Sequence, residues 1–340
     1  MKLSLCLPLI WLLSANAWAA DKPAHAVLHR FVLGGEGGWD YLTIDEPGHR
    51  IFLSRATHVA VIDSETGKPV GDIANTPGVH GIALAPEFGR GFVTNGRAGT
   101  VSIFDLKTLQ SIGEVKAGTN PDAILFDPAS RRVWAFNGRS QDATVIDAAK
   151  GMVVATVALG GKPEFAVSDE KGKIFVNIED KSEIVAIDAQ AMTVLARHPL
   201  APCQEPTGLA IDVQHARLFA ACSNKIMAVV NAETGKVVTT LAIGQGTDGA
   251  AFDAGTQTVY SSNGEGTLTI VHQESPDKYK VVQNLATAHG ARTMALDRQT
   301  HKAYVVTAKF GPPPAATAEQ PHPRPSILPG TFEVIVVGKP

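Results

Sequence analysis

Residues 121–138 read PDAILFDPASRRVWAFNG. A short apolar run ends at Asp127, Pro128 opens a turn, and a second apolar run stops at Asn137-Gly138. Two runs of this length, rich in Ile, Val, Trp and Phe and bounded by turn residues, predict two adjacent strands of one sheet. The same outline returns at WDYLTIDEPGHRIFLS (39–54), VHGIALAPEFGRGFVTNG (79–96), PEFAVSDEKGKIFVN (163–177), PTGLAIDVQHARLFAAC (206–222), TDGAAFDAGTQTVYSSNG (247–264) and ARTMALDRQTHKAYVVT (291–307). The acid closing the first run is Asp45, Asp127, Asp169, Asp212, Asp253 or Asp297, with Ala85 in its place once. Counted from Asp45, successive phrases lie 40 to 44 residues apart.

Each phrase leads to a third run ending near an acid, as in TVSIFD (100–105), ATVIDA (143–148) and EIVAID (183–188). A fourth run, such as KVVTTLAIG (236–244), completes the unit. Seven units of four short strands predict an all-β fold, a seven-bladed β-propeller of four-stranded blades. First strands are apolar at consecutive positions, as a strand covered on both faces requires. Fourth strands such as LQSIGEVKAG (109–118) carry more polar residues, as an outer edge should. The last unit has runs near 291–296, 301–307 and 332–337 but no fourth, while AVLHRFVLG (26–34) is one unpaired strand. The N-terminal strand is therefore predicted to close the last blade.

Residues 1–20, MKLSLCLPLIWLLSANAWAA, have one basic residue, a short apolar core and a small-x-small ending at Ala17-Trp18-Ala19. This is the pattern of a secretory signal cleaved near Ala19. Its apolar core is too short to span a bilayer, and no later stretch approaches that length. The expectation is a periplasmic or secreted monomer with no membrane span, residues 21–340 forming one propeller domain. Cys203 precedes the first strand of the fifth unit and Cys222 ends its second. Antiparallel pairing brings those ends together and predicts a disulfide in an oxidising compartment, with free thiols the lesser reading.

GRGFVTNG (89–96), RRVWAFNG (131–138) and TVYSSNG (258–264) resemble the YVTN-repeat (YncE-like) β-propeller family. The resemblance spans essentially all of the chain after the signal. It departs in the fifth unit, with Ala-Cys-Ser, and in the seventh, with Val-Thr, where Asn-Gly is expected. It implies an exported seven-bladed propeller, usually without an assigned reaction, and so speaks to fold far more than to function.

First strands of a propeller line its central channel. The position five residues before each closing acid reads Asp40, His80, Asp122, Glu164, Thr207, Asp248 and Arg292 around the ring. Four carboxylates, an imidazole and a guanidinium are thus predicted near one mouth; such acids can equally cap neighbouring backbone N–H groups. Like charges this close raise one another's pKa unless a cation offsets them. A cationic ligand, a polar substrate or a divalent metal (Ca, Zn or Mn) would do so, with Asp122, Glu164, Asp248 and His80 as candidate metal ligands. No contiguous metal motif accompanies them.

A secondary ring is read at Arg55, Asn95, Asn137, Cys222 and Asn263, where Asn-Gly turn chemistry competes with ligand contact. Trp39 and Tyr41 flank the mouth as stacking surfaces or as packing between blades. The insertion GPPPAATAEQPHPRPSILPG (311–330) is long and proline-rich. It reads as a tolerated insertion or as a lid bringing His322 and Arg324 to the mouth.

GQGTDG (244–249) matches a dinucleotide-binding fingerprint in letters alone, since it joins two strands and opens no helix. Three functional readings remain. The first is a non-enzymatic propeller binding a ligand or protein partner at the acidic mouth. The second is a metal-dependent, lactonase-like hydrolase or lyase using the channel carboxylates. Single-stranded nucleic-acid binding comes third, disfavoured by a net charge of −3 and by Lys and Arg scattered without a block.

Overall fold

A computed structural model describes residues 24–315, 323 and 325–340. The signal segment 1–20, His322 and Arg324 lie outside the described residues. Seven four-stranded antiparallel sheets follow one another around a ring. Their innermost strands are Leu42–Asp45, Val79–Ala85, Pro121–Asp127, Pro163–Ser168, Pro206–Asp212, Thr247–Asp253 and Met294–Asp297. Blade 1 begins with Leu42–Asp45, and the blades are numbered from it.

The phrase at 121–138 occupies blade 3. Pro121–Asp127 pairs with Arg132–Asn137, which pairs with Asp142–Asp147, and Met152–Ala158 forms the outer edge. Burial follows position. Arg132–Asn137 is buried at five consecutive residues, because neighbouring blades cover both faces of the second strand. Met152–Ala158 is mostly exposed. Between blades the core is aromatic and aliphatic: Trp134 and Phe136 pack against Ile174, Val176 and Val185 of blade 4. The closing acids keep the first turn in place. Asp127 accepts from Ser130 N, Asp253 from Gly255 N, and Asp297 from Gln299 N and Thr300 N.

The last blade runs Ala26–Val32, Glu333–Gly338, Lys302–Thr307, Met294–Asp297. Ala26–Val32 pairs antiparallel with Glu333–Gly338, so the N-terminal strand closes the ring as the strand count predicts. Cys203 and Cys222 form a disulfide with Cα atoms 5.7 Å apart. Cys222 sits opposite Pro206, the first residue of the fifth inner strand, which places both sulfurs at one end of that hairpin. No described helix is long and apolar enough to cross a membrane.

Candidate functional site

The inner strands of blades 2 to 6 share an irregularity at the predicted ring. In blade 3, Pro121 pairs with Asn137 and the next pair is Ile124 with Ala135. Asp122 and Ala123 therefore face one residue, Phe136. Blades 2, 4 and 5 repeat this two-against-one bulge, and in blade 6 Asp248 alone is the extra residue. A bulge re-aims a side chain and frees backbone groups. The freed groups are satisfied by short polar residues of second strands. Thr94 accepts from Gly81 N and donates to Asp122 O in the next blade, and Asn177 donates to Thr207 O. Ser262 likewise donates to Arg292 O of the following blade. Asp40 and Arg292 lie just before their strands, and Asp40 N is held by Ser54 Oγ at 2.9 Å.

The residue after each ring position faces the neighbouring inner strand. Gly81 and Gly208 have no room for a side chain: a Cβ would lie 2.9 Å from Asp122 O and 2.7 Å from Ala250 N, respectively. Blades 1 and 4 break the rule with Tyr41 and Phe165. Their rings stack with centroids 5.5 Å apart and planes at 25°. Because these blades are not neighbours, that contact crosses the central axis. Tyr41 is thus neither a rim surface nor packing between adjacent blades; it stacks on Phe165 across the channel beside the acids. A cavity of only 10 Å³ remains beside the pair, lined by Glu164, Thr207 and Asp248 among others, which is room for about one water.

The ring divides into three groups. His80 Nδ1 lies 2.5 Å from Asp40 Oδ2 and 3.6 Å from Asp122 Oδ1. Lys162 Nζ lies 2.6 Å from Glu164 Oε1 and also bonds Glu179. Arg292 Nε stands 3.3 Å from Asp248 Oδ2. Thr207 points its hydroxyl at Thr247 O and carries no charge into the site. The candidate metal set is correspondingly redrawn. Glu164 and Asp248 are drawn toward cations of their own, whereas ligand atoms of Asp40, His80 and Asp122 all lie within 4.8 Å of one another.

Burial dominates the electrostatics. It pushes Asp122 up to about 6, with His80 opposing and Asp40 reinforcing. Burial and the Asp122 charge raise Glu164 to about 8 against the pull of Lys162. Burial raises Asp248 to about 7, Arg292 opposing and Asp40 and Asp122 adding to the rise. For His80, burial favours the neutral ring, but the bond to Asp40 and the charges of Asp122, Asp40 and Glu164 prevail and raise its pKa. Burial first, then the same four carboxylates, lift the Tyr41 phenol well above its usual range. The mouth therefore holds protons more readily than a solvated carboxylate cluster would.

The secondary ring does not open to this site. Asn95, Asn137 and Asn263 are fully buried, and each amide donates within its own blade, as Asn137 does to Asp142 Oδ1 and Thr144 Oγ1. Arg55 donates to Gly34 O and Glu36 O and lies over Phe332, 3.9 Å from the ring centroid. Cys222 is spent in the disulfide. These side chains lock turns and the strand closing the ring.

Sequence reading missed Lys162 and Glu179. The signal was available: Ile178-Glu179 replaces Asn-Gly in the fourth unit, and Lys162 falls two residues before a ring acid. It also missed how the insertion meets the mouth. Phe310 and Ile327 form an isolated bridge at its base, and both line a recess with Trp39, Asp40 and Arg292.

No family model matches the chain, and no curated protein matches it. Solved structures do. One is Kuenenia stuttgartiensis hydrazine synthase, 16% identical with a TM-score of 0.71 over 79% of this chain and 92% of that one. Another is U3-55K, 9% identical with a TM-score of 0.72, covering 92% of this chain and 98% of that one. The RRP9 WD40 repeats are 10% identical with a TM-score of 0.74, covering 93% and 99%. At these identities the likeness is one of fold, and it agrees with the seven-bladed propeller.

Proposed function

We propose that this protein is an exported propeller of the YVTN-repeat type that binds a small polar ligand, without transforming it, through a positively charged group seated among the mouth acids. The observation that carries the reading is the acidic cup. Asp40, Asp122, Glu164 and Asp248 converge with His80 beside the Tyr41–Phe165 stack that crosses the channel. A cation entering the cup replaces protons that burial favours on Asp122, Glu164 and Asp248. The signal pattern of residues 1–20 and the Cys203–Cys222 disulfide support export. Recurrent FVTN-like phrases, whose Thr94 ties one bulge to the next blade, support the repeat type.

One observation favours a second reading. A nitrogen and two carboxylates within 4.8 Å of one another fit Zn or Mn better than Ca, which prefers oxygen ligands alone. A metal there would polarise a carbonyl, and the site would serve a hydrolase or lyase of the lactonase kind. Single-stranded nucleic acid is poorly served by a mouth of four carboxylates.

The test is elemental analysis of protein purified from its exported compartment without chelator, joined to calorimetric titration with alkylamines. Asp122→Asn/Glu164→Gln serves as control. Amine binding that disappears in the variant supports the proposal. Stoichiometric Zn or Mn lost in the variant replaces it with the metal reading. Neither amine nor metal binding refutes both.

A further inference from the structure

The mouth has a second half that the cup leaves unused. A recess of 490 Å³ shares Trp39 and Asp40 with the cup side and extends to Arg292, Thr293, Phe310 and Ile327. Part of its wall is bare backbone, at Gly38, Gly246, Gly264 and Gly290, which leaves the space open. Trp39 and Phe310 form an aromatic side, their centroids 6.0 Å apart.

Two polar groups in this recess are short of partners. Arg292 comes nearest to Asp248 through Nε, at 3.3 Å, and neither of its Nη amines donates a hydrogen bond to a described residue. Its side chain is 51% exposed, so the guanidinium fork is accessible. Thr293 is only 7% exposed, yet its hydroxyl has no hydrogen-bond partner among the described residues. A buried hydroxyl left unmade is costly, and a ligand oxygen arriving there would relieve it. An anion alone would be repelled by Asp40 and Asp248. A cation alone would leave Arg292 and Thr293 unanswered.

We propose that this recess takes a small zwitterion, an α-amino acid with an aromatic or large apolar side chain. Its ammonium meets Asp40, its carboxylate meets the Arg292 fork and the Thr293 hydroxyl, and its side chain lies against Trp39 and Phe310. The assignment rests on the cup reading, because Asp40 serves both. An Arg–carboxylate fork gives direction as well as strength, and aromatic faces supply the apolar contact.

The experiment is calorimetric titration of the full chain with L-phenylalanine, phenethylamine, 3-phenylpropionate and glycine. Phenylalanine should bind best. Phenethylamine, lacking the carboxylate, should bind roughly tenfold more weakly or worse, as loss of a charge-assisted pair requires. Arg292→Ala should weaken phenylalanine without weakening phenethylamine, since removing a cation beside Asp248 does not disfavour an ammonium, and this separates loss of the fork from misfolding; Arg292→Lys should weaken phenylalanine less. Thr293→Val, close to isosteric, should weaken phenylalanine several-fold. Equal affinity for phenylalanine and phenethylamine, unaltered in Arg292→Ala, overturns the zwitterion assignment and leaves the cup reading standing. Failure of every ammonium-bearing probe overturns both.

Discussion

Asp248→Asn isolates one of the mouth acids from its neighbours. Burial raises this carboxyl from 3.8 to about 7, with Arg292 opposing and Asp40 and Asp122 adding to the rise. A group whose folded pKa exceeds its unfolded value holds its proton more tightly in the folded state. Folding is then most favoured below the unfolded pKa, and stability falls as pH climbs toward the folded one. The window here runs from about pH 4 to about pH 7. Integrating over the two values, the raised pKa of Asp248 costs about 1.5 kcal/mol of stability at pH 5, where only the unfolded chain has ionised it, and about 4 kcal/mol at pH 8, where the folded carboxyl is charged as well. Asparagine keeps the shape of the protonated acid and cannot ionise. Urea unfolding at pH 5 and pH 8 should therefore show the wild type losing about 2.5 kcal/mol more than the variant across that interval. The variant gains most at pH 8. Arg292, half exposed, loses little by losing its partner. Parallel pH profiles, or a variant destabilised at pH 8, would refute the claim that the acid is held charged at a cost.

Replacing Lys162 with Met should leave Glu164 and Glu179 without their shared cation. The loss of melting temperature should be larger at pH 8 than at pH 5, and equal losses would argue against the bridge. Cys203→Ser/Cys222→Ser reopens a loop spanning 19 residues and should cost about 3 kcal/mol, read as a lower urea midpoint that reductant no longer changes. Deleting Ala26–Val32 strips the pairing partner from Glu333–Gly338. The truncated chain should expose a strand edge and aggregate at concentrations where the full chain stays monodisperse by light scattering.

The repeat made the fold legible. A phrase recurring every 40 to 44 residues fixes blade number, and counting strands in the last unit reveals the closing strand. The ring at the mouth was legible for the same reason, since equivalent positions in equivalent units must face one axis. What escaped were the exceptions. Tyr41 and Phe165 stand where neighbouring blades carry small residues such as Gly81 and Gly208, but that they meet across the axis depends on ring diameter, which no local pattern encodes. The partition of ring charges was equally hidden. Lys162 lies outside the repeated position, and its pairing with Glu164 and Glu179 draws one acid away from the metal-like group. The secondary ring misled because Asn-Gly serves turns and amide locks alike. Only register shows that Asn95, Asn137 and Asn263 spend their amides on Thr, Ser and Asp oxygens of their own blades.

The pairing of Ala26–Val32 with Glu333–Gly338 also sets an order of events. Translation produces the closing strand first and its partner some 300 residues later. Until that partner docks, the array has two unfinished ends, and each blade can be stabilised only by those already formed. Completion of the wheel is thus a contact of very high sequence separation, the kind that slows folding. A chain that folds after export must therefore hold an open arc until its last strand docks on its first. Loss of Glu333–Gly338 would leave Ala26–Val32 without its partner and the arc unclosed.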